Sequence, residues 1–136
     1  MMQKVKALFF VRCSNWKNIV FLRCEKTVVM ISTRENILNS IKALGMKVLP
    51  KDAQLILFGS QARKDAHAES DWDLLILLGS NHQSADMFGL YAYPFVQLGW
   101  EYGTYFSPKV YTYDEWAMRK GSPFFENINR EGVVLC

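Results

Sequence analysis

A chain of 136 residues, 50% hydrophobic and 21% charged, has the size and balance of a globular domain with its own core. No stretch approaches the roughly 20 uncharged apolar residues that a membrane-spanning helix requires. The formal net charge is +3, but residues 31–136 hold ten basic and twelve acidic side chains. We therefore expect neither a membrane nor a nucleic acid as a direct ligand.

Residues 1–29 differ from the rest of the chain in composition. Residues 1–30 carry six basic side chains and one acidic side chain, with neither helical periodicity nor sustained alternation of apolar and polar residues. Ser32 or Thr33 then predicts a helix N-cap shortly after Met30. We expect residues 1–29 to be a non-native or dispensable extension and residues 30–136 to form the domain. An added hairpin is the alternative.

The chain contains three cysteines, at positions 13, 24 and 136. Their spacing matches no metal-binding motif, and their odd number argues against a disulfide framework. These features predict a cytoplasmic protein.

From residue 33 to residue 49, apolar positions recur at helical spacing and predict an amphipathic helix that ends at Pro50. The run QLILF, residues 54–58, then predicts a buried strand that ends in a Gly59–Ser60 turn. QARKDA is compatible with a short helix after that turn. DWDLLILL, residues 71–78, predicts a second buried strand.

The second half of the chain contains further helices and strands. Residues 84–102 predict a helix interrupted or kinked at Pro94. Residues 104–113 predict a third strand, whose proline places it at a sheet edge or a bulge. Asp114 is placed to cap one short helix, and Ser122–Pro123 predicts the start of another, followed by a terminal strand or tail.

Two carboxylates, Asp71 and Asp73, stand at the start of the second strand. Alternate residues of a strand point to the same face, so these two side chains project together while Trp72 points away. Paired carboxylates suit Mg²⁺, which binds a few of them together with phosphate oxygens. The Gly59–Ser60 turn offers backbone N–H groups and a hydroxyl to phosphates. Metal ligands facing a phosphate cradle predict phosphoryl or nucleotidyl transfer.

The stretch GSQARKDAHAESDWDLLIL resembles the signature of the minimal nucleotidyltransferases, members of the DNA polymerase beta-like superfamily. That signature consists of Gly-Ser and then Asp-x-Asp in a hydrophobic strand, here separated by ten residues. The resemblance covers residues 33–113. It implies an α/β (α+β) nucleotidyltransferase fold, with a small mixed sheet flanked by helices in a single domain.

The resemblance also implies roles for particular residues. Gly59 and Ser60 would hold the phosphates of a nucleoside triphosphate, and Asp71 and Asp73 would be the catalytic residues that bind divalent metal, Mg²⁺. Arg63 stands where the family often has a basic residue, which implies either nucleotide binding or an exposed helix face. The next residue, a lysine, replaces a glycine of the family.

The third carboxylate of the family is the main departure. Members usually supply an Asp or Glu from the third strand, which completes the metal site and acts as general base. Residues 104–113 contain no acid, and Ser107 stands near the expected position. Glu101 is the nearest substitute, although a surface role fits it better. His67 and His82 lie in polar segments without companion ligands, so we expect solvated side chains.

The resemblance implies Mg²⁺-dependent transfer of a nucleoside monophosphate, AMP in the first instance, from ATP or another NTP to a hydroxyl. Minimal members often modify a HEPN-domain protein, so the implied partner is a HEPN toxin and the implied role is that of its antitoxin. The alternative is a catalytically degenerate module that binds nucleotide or a partner. Transfer to a small molecule such as an aminoglycoside is less favoured, because those enzymes generally carry an added acceptor-binding domain.

Overall fold

The computed structural model describes the backbone of residues 20–24, 27–31, 34–67 and 70–136, and the side chains of the last two ranges. In chain order its elements are strands β1 (Val20–Cys24) and β2 (Thr27–Ile31), helix α1 (Arg34–Val48), strand β3 (Gln54–Phe58), helix α2 (Ser60–Arg63), strand β4 (Trp72–Leu78), a 3₁₀ turn (Ser80–His82), a π-helical turn (Phe88–Ala92), helix α3 (Tyr93–Tyr102), strand β5 (Phe106–Thr112), helices α4 (Tyr113–Ala117) and α5 (Pro123–Glu131), and strand β6 (Val133–Val134). Within these ranges no helix is long and apolar enough to cross a membrane.

The chain divides into two compact units, one ending at Ser40 and one running from Ile41 to Cys136. In the first unit, β1 and β2 pair antiparallel, with Val20 opposite Ile31. The segment expected to be an extension therefore contains a hairpin. The N-cap predicted at Ser32 or Thr33 lies outside the described residues.

The second unit is built on a four-stranded sheet with the strand order β5-β4-β3-β6. Strand β3 pairs antiparallel with both β4 and β6, whereas β4 and β5 run parallel. The π-helical turn and α3 form the crossover that a parallel pair requires. The predicted α/β (α+β) fold, a small mixed sheet flanked by helices, is thus confirmed.

The two central strands are apolar on both faces, as sheets covered on both sides must be. Leu55, Leu57, Leu74 and Ile76 are almost completely buried. On the other face, residues of β3 and β4 form a hydrophobic cluster with residues of α4 and α5. Its members are Ile56, Leu75, Leu77, Trp116 and Ile128. Strand alternation puts the side chain of residue 73 on the same face as this cluster.

One local prediction differs from the structure. The N-cap of α4 is Thr112, not Asp114: the Thr112 hydroxyl accepts from the Glu115 N–H, and the Glu115 carboxylate accepts from the Thr112 N–H, which is a capping box. The interruption predicted at Pro94 is present as a change of helix type: the π-helical turn Phe88–Ala92 leads directly into α3, whose first turn contains Pro94 and its missing N–H.

We expect a chain that begins at Met30 to unfold at nearly the same temperature as the full chain. Strands β1 and β2 pair with each other, and the four-stranded sheet contains neither of them. Differential scanning calorimetry should give midpoints within about 3 °C of each other, which corresponds to less than about 1 kcal/mol.

Removal of residues 133–136 is the matched control for that deletion. Val134 pairs with Ile56, and the Leu135 N–H donates to the Leu55 carbonyl, so this second deletion takes hydrogen bonds from the sheet itself. It should lower the midpoint by several degrees. An equal loss from the N-terminal deletion would show that residues 1–29 contribute to the stability of the domain.

Candidate functional site

Strand register places Asp73 at the centre of the candidate site. It is the second residue of β4 and lies opposite Phe58 on β3 and Ser107 on β5. Gly59 directly follows Phe58, so the Asp73 carboxylate reaches the turn between β3 and α2. Two segments separated by more than ten residues of sequence therefore meet through one antiparallel strand pair.

Gly59 and Asp73 are in direct contact. Gly59 has φ +72° and ψ −156°, a conformation that is essentially restricted to glycine. A Cβ atom at this position would lie within 3.0 Å of Asp73 Oδ2, a separation that real Cβ atoms essentially never show. Glycine is therefore required twice here, once by the backbone and once by the carboxylate beside it.

Asp71 precedes β4 and is exposed, whereas Asp73 is half-buried. Burial raises the pKa of Asp73, and the charge of Asp71 raises it further, while Lys109 and Arg63 lower it. The two carboxylates are therefore close enough to repel each other. A bound cation would relieve that repulsion, so the donor set fits a divalent metal ion.

The turn that faces Asp73 begins helix α2. The Gly59 carbonyl accepts hydrogen bonds from the N–H groups of Ala62 and Arg63, at 3.1 and 3.2 Å. The helix ends at Lys64, which adopts the left-handed conformation with φ +63° and donates its N–H to the Ser60 carbonyl. A glycine at position 64, as in the resembling family, would take this conformation without strain.

Gln61 is a supporting residue that the sequence analysis missed. Its side chain is buried, and Nε2 lies 3.5 Å from the Ser70 carbonyl oxygen. Because Ser70 immediately precedes Asp71, this contact links α2 to the start of the Asp-x-Asp segment. The only sequence signal was a polar residue in the turn of a short helix, which ordinarily indicates exposure.

Arg63 links α2 to the end of α5. Its Nε lies 3.1 Å from Asp65, and its Nη1 lies 3.1 Å from Glu131, which also pairs with Arg130 at 3.0 Å. These contacts raise the pKa of Arg63, and the two arginines lower the pKa of Glu131. A phosphate at Arg63 would compete with both carboxylates.

The sequence model of the nucleotidyltransferase domain matches residues 35–120, which is more than half of the chain. The chain belongs to the nucleotidyltransferase-domain family. The matched range includes Gly59, Ser60, Arg63, Asp71 and Asp73, and the resemblance on which their roles were predicted is confirmed at the level of the family. Membership connects the chain with nucleotidyl transfer in general, and the role of each residue stays a prediction.

One solved structure, described as the crystal structure of the toxin-antitoxin with AMP-PNP, has the same fold. It superposes with a TM-score of 0.52 at 21% sequence identity, over 73% of this chain and 72% of that chain. The chain matches no curated protein sequence.

The candidate site of this nucleotidyltransferase domain contains two acidic residues, whereas the members of the resembling family usually supply a third from the third strand. Among the described residues, no group of three or more His, Cys, Asp or Glu could hold a metal ion. Ser107 takes the place beside Asp73 on β5, and Glu101 is an exposed residue of α3. His82, expected to be solvated, has a partner: its Nε2 lies 3.1 Å from Asp52 Oδ1.

We expect Gly59→Ala to destabilise the fold by about 1–3 kcal/mol, because the added methyl group combines an unfavourable φ with a clash against Asp73. Gly103→Ala is the matched control. Gly103 has φ +65°, and a methyl group there would meet no atom of the described residues within 4 Å beyond its own chain neighbours. Thermal unfolding should show the smaller loss for Gly103→Ala. Gly103 is in the left-handed region with ψ 29°, which other residues adopt more readily than the conformation of Gly59, so the difference measures backbone strain and the clash together. Equal losses would mean that neither adds to the cost at Gly59.

We expect Asp73→Asn to unfold at the same temperature as wild type or higher at pH 7, because it removes a half-buried charge beside Asp71. The gain should stay below about 1 kcal/mol, since solvent screens the pair. The folded pKa is raised, so wild type regains stability relative to the variant as pH falls through that pKa.

The difference between Asp73→Asn and wild type should therefore vanish once the pH is below the unfolded pKa of about 3.9. Melting curves recorded from neutral pH into acid measure it. A variant that is clearly less stable at neutral pH would mean that the folded chain stabilises the Asp73 charge.

Proposed function

We propose that this chain is a Mg²⁺-dependent nucleotidyltransferase that transfers AMP from ATP to a hydroxyl group of a partner protein. The observation that carries the proposal is the packing of the Asp73 carboxylate against Gly59. This contact puts a metal-binding type of side chain beside a turn of the type that holds phosphates. Family membership supports the same reaction class.

Asp71 and Asp73 are the residues that would hold the metal ion. Both offer hard oxygen donors, and their mutual repulsion favours a divalent cation over none. Such an ion, when bound, supplies positive charge to the phosphate oxygens of the nucleotide and to the pyrophosphate that leaves.

The residues of the chain orient the nucleotide. The Gly59–Ser60 turn binds the phosphates through backbone N–H groups and the Ser60 hydroxyl. The acceptor hydroxyl oxygen then forms a bond to the α-phosphorus, and the bond from that phosphorus to the bridging oxygen breaks and releases pyrophosphate. Since Ser107 replaces an acid beside Asp73, the hydroxyl proton goes to solvent or to a base on the acceptor protein.

A HEPN-domain toxin is the partner we propose, with this chain as its antitoxin in the cytoplasm. The neighbouring structure described as a toxin-antitoxin with AMP-PNP supports a nucleotide and a protein partner for this fold. The exposed side of α3 adds to that support, because Tyr93 and Trp100 are 40% and 60% exposed and lie edge to face at 6.0 Å. Exposed aromatic side chains are common in protein interfaces.

A second function, a non-catalytic module that masks its partner, is favoured by one observation. Two carboxylates without a third are enough to bind a metal-nucleotide complex, and the β5 residue paired with Asp73 is Ser107, not an acid that could act as general base. The two functions share the same nucleotide site and differ in whether a phosphorus bond is broken.

Binding tests the site that both functions require. Mg²⁺ and ATP together should raise the melting temperature of wild type by several degrees, because the ligand binds the folded chain. Asp71→Asn and Asp73→Asn should abolish that rise while the unliganded proteins stay folded. Asp52→Asn is the matched control, since Asp52 is exposed and precedes β3, at the end of that strand opposite Gly59. A rise that persists in both site variants would place the nucleotide elsewhere.

Incorporation of label from α-labelled ATP into a HEPN-domain partner then separates enzyme from module. Label that appears on the partner, and is lost with Asp73→Asn, supports transfer. A stable complex that never acquires label supports the masking function and contradicts catalysis.

A further inference from the structure

Lys109 lies on the same face of the sheet as Asp73. Strands β4 and β5 are parallel, with Asp73 paired to Ser107 and Leu75 paired to Lys109. Paired residues of neighbouring strands point to the same face, and so do alternate residues of one strand. The side chain of Lys109 therefore lies on the same face as that of Asp73, one alternate position further along β5 than Ser107.

The charge of Lys109 is available to a ligand. The side chain is exposed, and none of the carboxylates in the described part of the chain forms an ion pair with it. It is still close enough to Asp73 to lower the pKa of that carboxylate. In this respect it differs from Arg63, whose guanidinium is already paired with two acids.

The order of the strands puts Lys109 and the Gly59–Ser60 turn on opposite sides of Asp73. Strand β4 carries Asp73 in the middle, β3 brings the Gly59–Ser60 turn on one side, and β5 brings Lys109 on the other. A nucleotide whose phosphates lie on the turn and reach the acids extends toward β5. On that side, β5 carries Lys109 two residues after Ser107, which pairs with Asp73.

We propose that Lys109 is a nucleotide-binding residue whose ammonium group contacts a phosphate oxygen of the bound NTP on the β5 side of Asp73. The inference rests on the proposed function and deepens it. A triphosphate beside two carboxylates carries more negative charge than one divalent ion neutralises. Ser107, the residue paired with Asp73, is neutral, so the remaining positive charge comes from the side chain of Lys109. The ammonium group of a lysine is a compact point charge that binds phosphate well.

A simpler role for Lys109 would be to screen the negative charges of Asp71 and Asp73 without contacting the nucleotide. The two roles predict different effects of Lys109→Gln on nucleotide affinity. If Lys109 only screens, Lys109→Gln leaves nucleotide affinity unchanged and strengthens the binding of a divalent ion alone, because a repelling cation is gone. If Lys109 contacts phosphate, the same variant weakens nucleotide binding, whatever happens to the metal alone.

The experiment measures two affinities by titration calorimetry, Mg²⁺-ATP binding and AMP binding, together with Mn²⁺ binding followed by electron paramagnetic resonance. Lys109→Gln should weaken Mg²⁺-ATP binding about 10-fold or more, as for loss of a charged hydrogen bond. AMP and Mn²⁺ alone should bind without such a loss. Lys109→Arg should retain most of the ATP affinity. Lys51→Gln is the matched control, an exposed lysine beyond the opposite end of β3.

The outcomes separate this inference from the proposed function. Wild type that binds Mg²⁺-ATP, with unchanged affinity in Lys109→Gln or an equal loss in Lys51→Gln, overturns the role of Lys109 alone. Wild type that binds no Mg²⁺-ATP overturns the proposed function and this inference together. A loss confined to Lys109→Gln and to the triphosphate supports it.

Discussion

The contact between Gly59 and Asp73 is the constraint on which the candidate site depends. It exists because β3 and β4 pair antiparallel with Phe58 opposite Asp73, so that the turn after one strand meets the carboxylate at the start of the other. A shift of one residue in that register would turn Asp73 into the apolar layer on the other face. The buried leucines and isoleucines of the two strands hold the register, and the core therefore positions the chemistry.

Local patterns predicted what local physics controls. The apolar runs gave β3 and β4 within one residue of their observed ends, and the Gly-Ser turn and the Asp-x-Asp spacing were sufficient to assign the family. The capping box at Thr112 follows the pattern Thr-x-x-Glu, which is visible in the sequence, whereas the cap was predicted at Asp114, directly before the run EWAMRK. The ion pair from Arg63 to Glu131 and the register of Lys109 against Asp73 depend on long-range pairing, which no short segment encodes.

Charge distribution separates this domain from the pattern expected of its family. Asp73 lies on β4 and Asp71 stands two residues before it, a serine on β5 occupies the neighbouring position where an acid was expected, and a lysine with no ion pair among the described residues follows on the same face as Asp73. Under the proposed function, the acceptor protein contributes the general base. Under the alternative, the proposed site binds nucleotide without turnover. The same geometry of Gly59, Asp71 and Asp73 is required in both cases.

A crystal structure of the chain with Mn²⁺ and α,β-methylene-ATP would test this geometry most directly. The methylene bridge replaces the bond that transfer would break, and the anomalous scattering of manganese locates the ion independently of the rest of the density. We predict one manganese peak between the carboxylates of Asp71 and Asp73, with phosphate oxygens on the Gly59–Ser60 turn. A manganese ion or a triphosphate bound away from these residues would contradict the account.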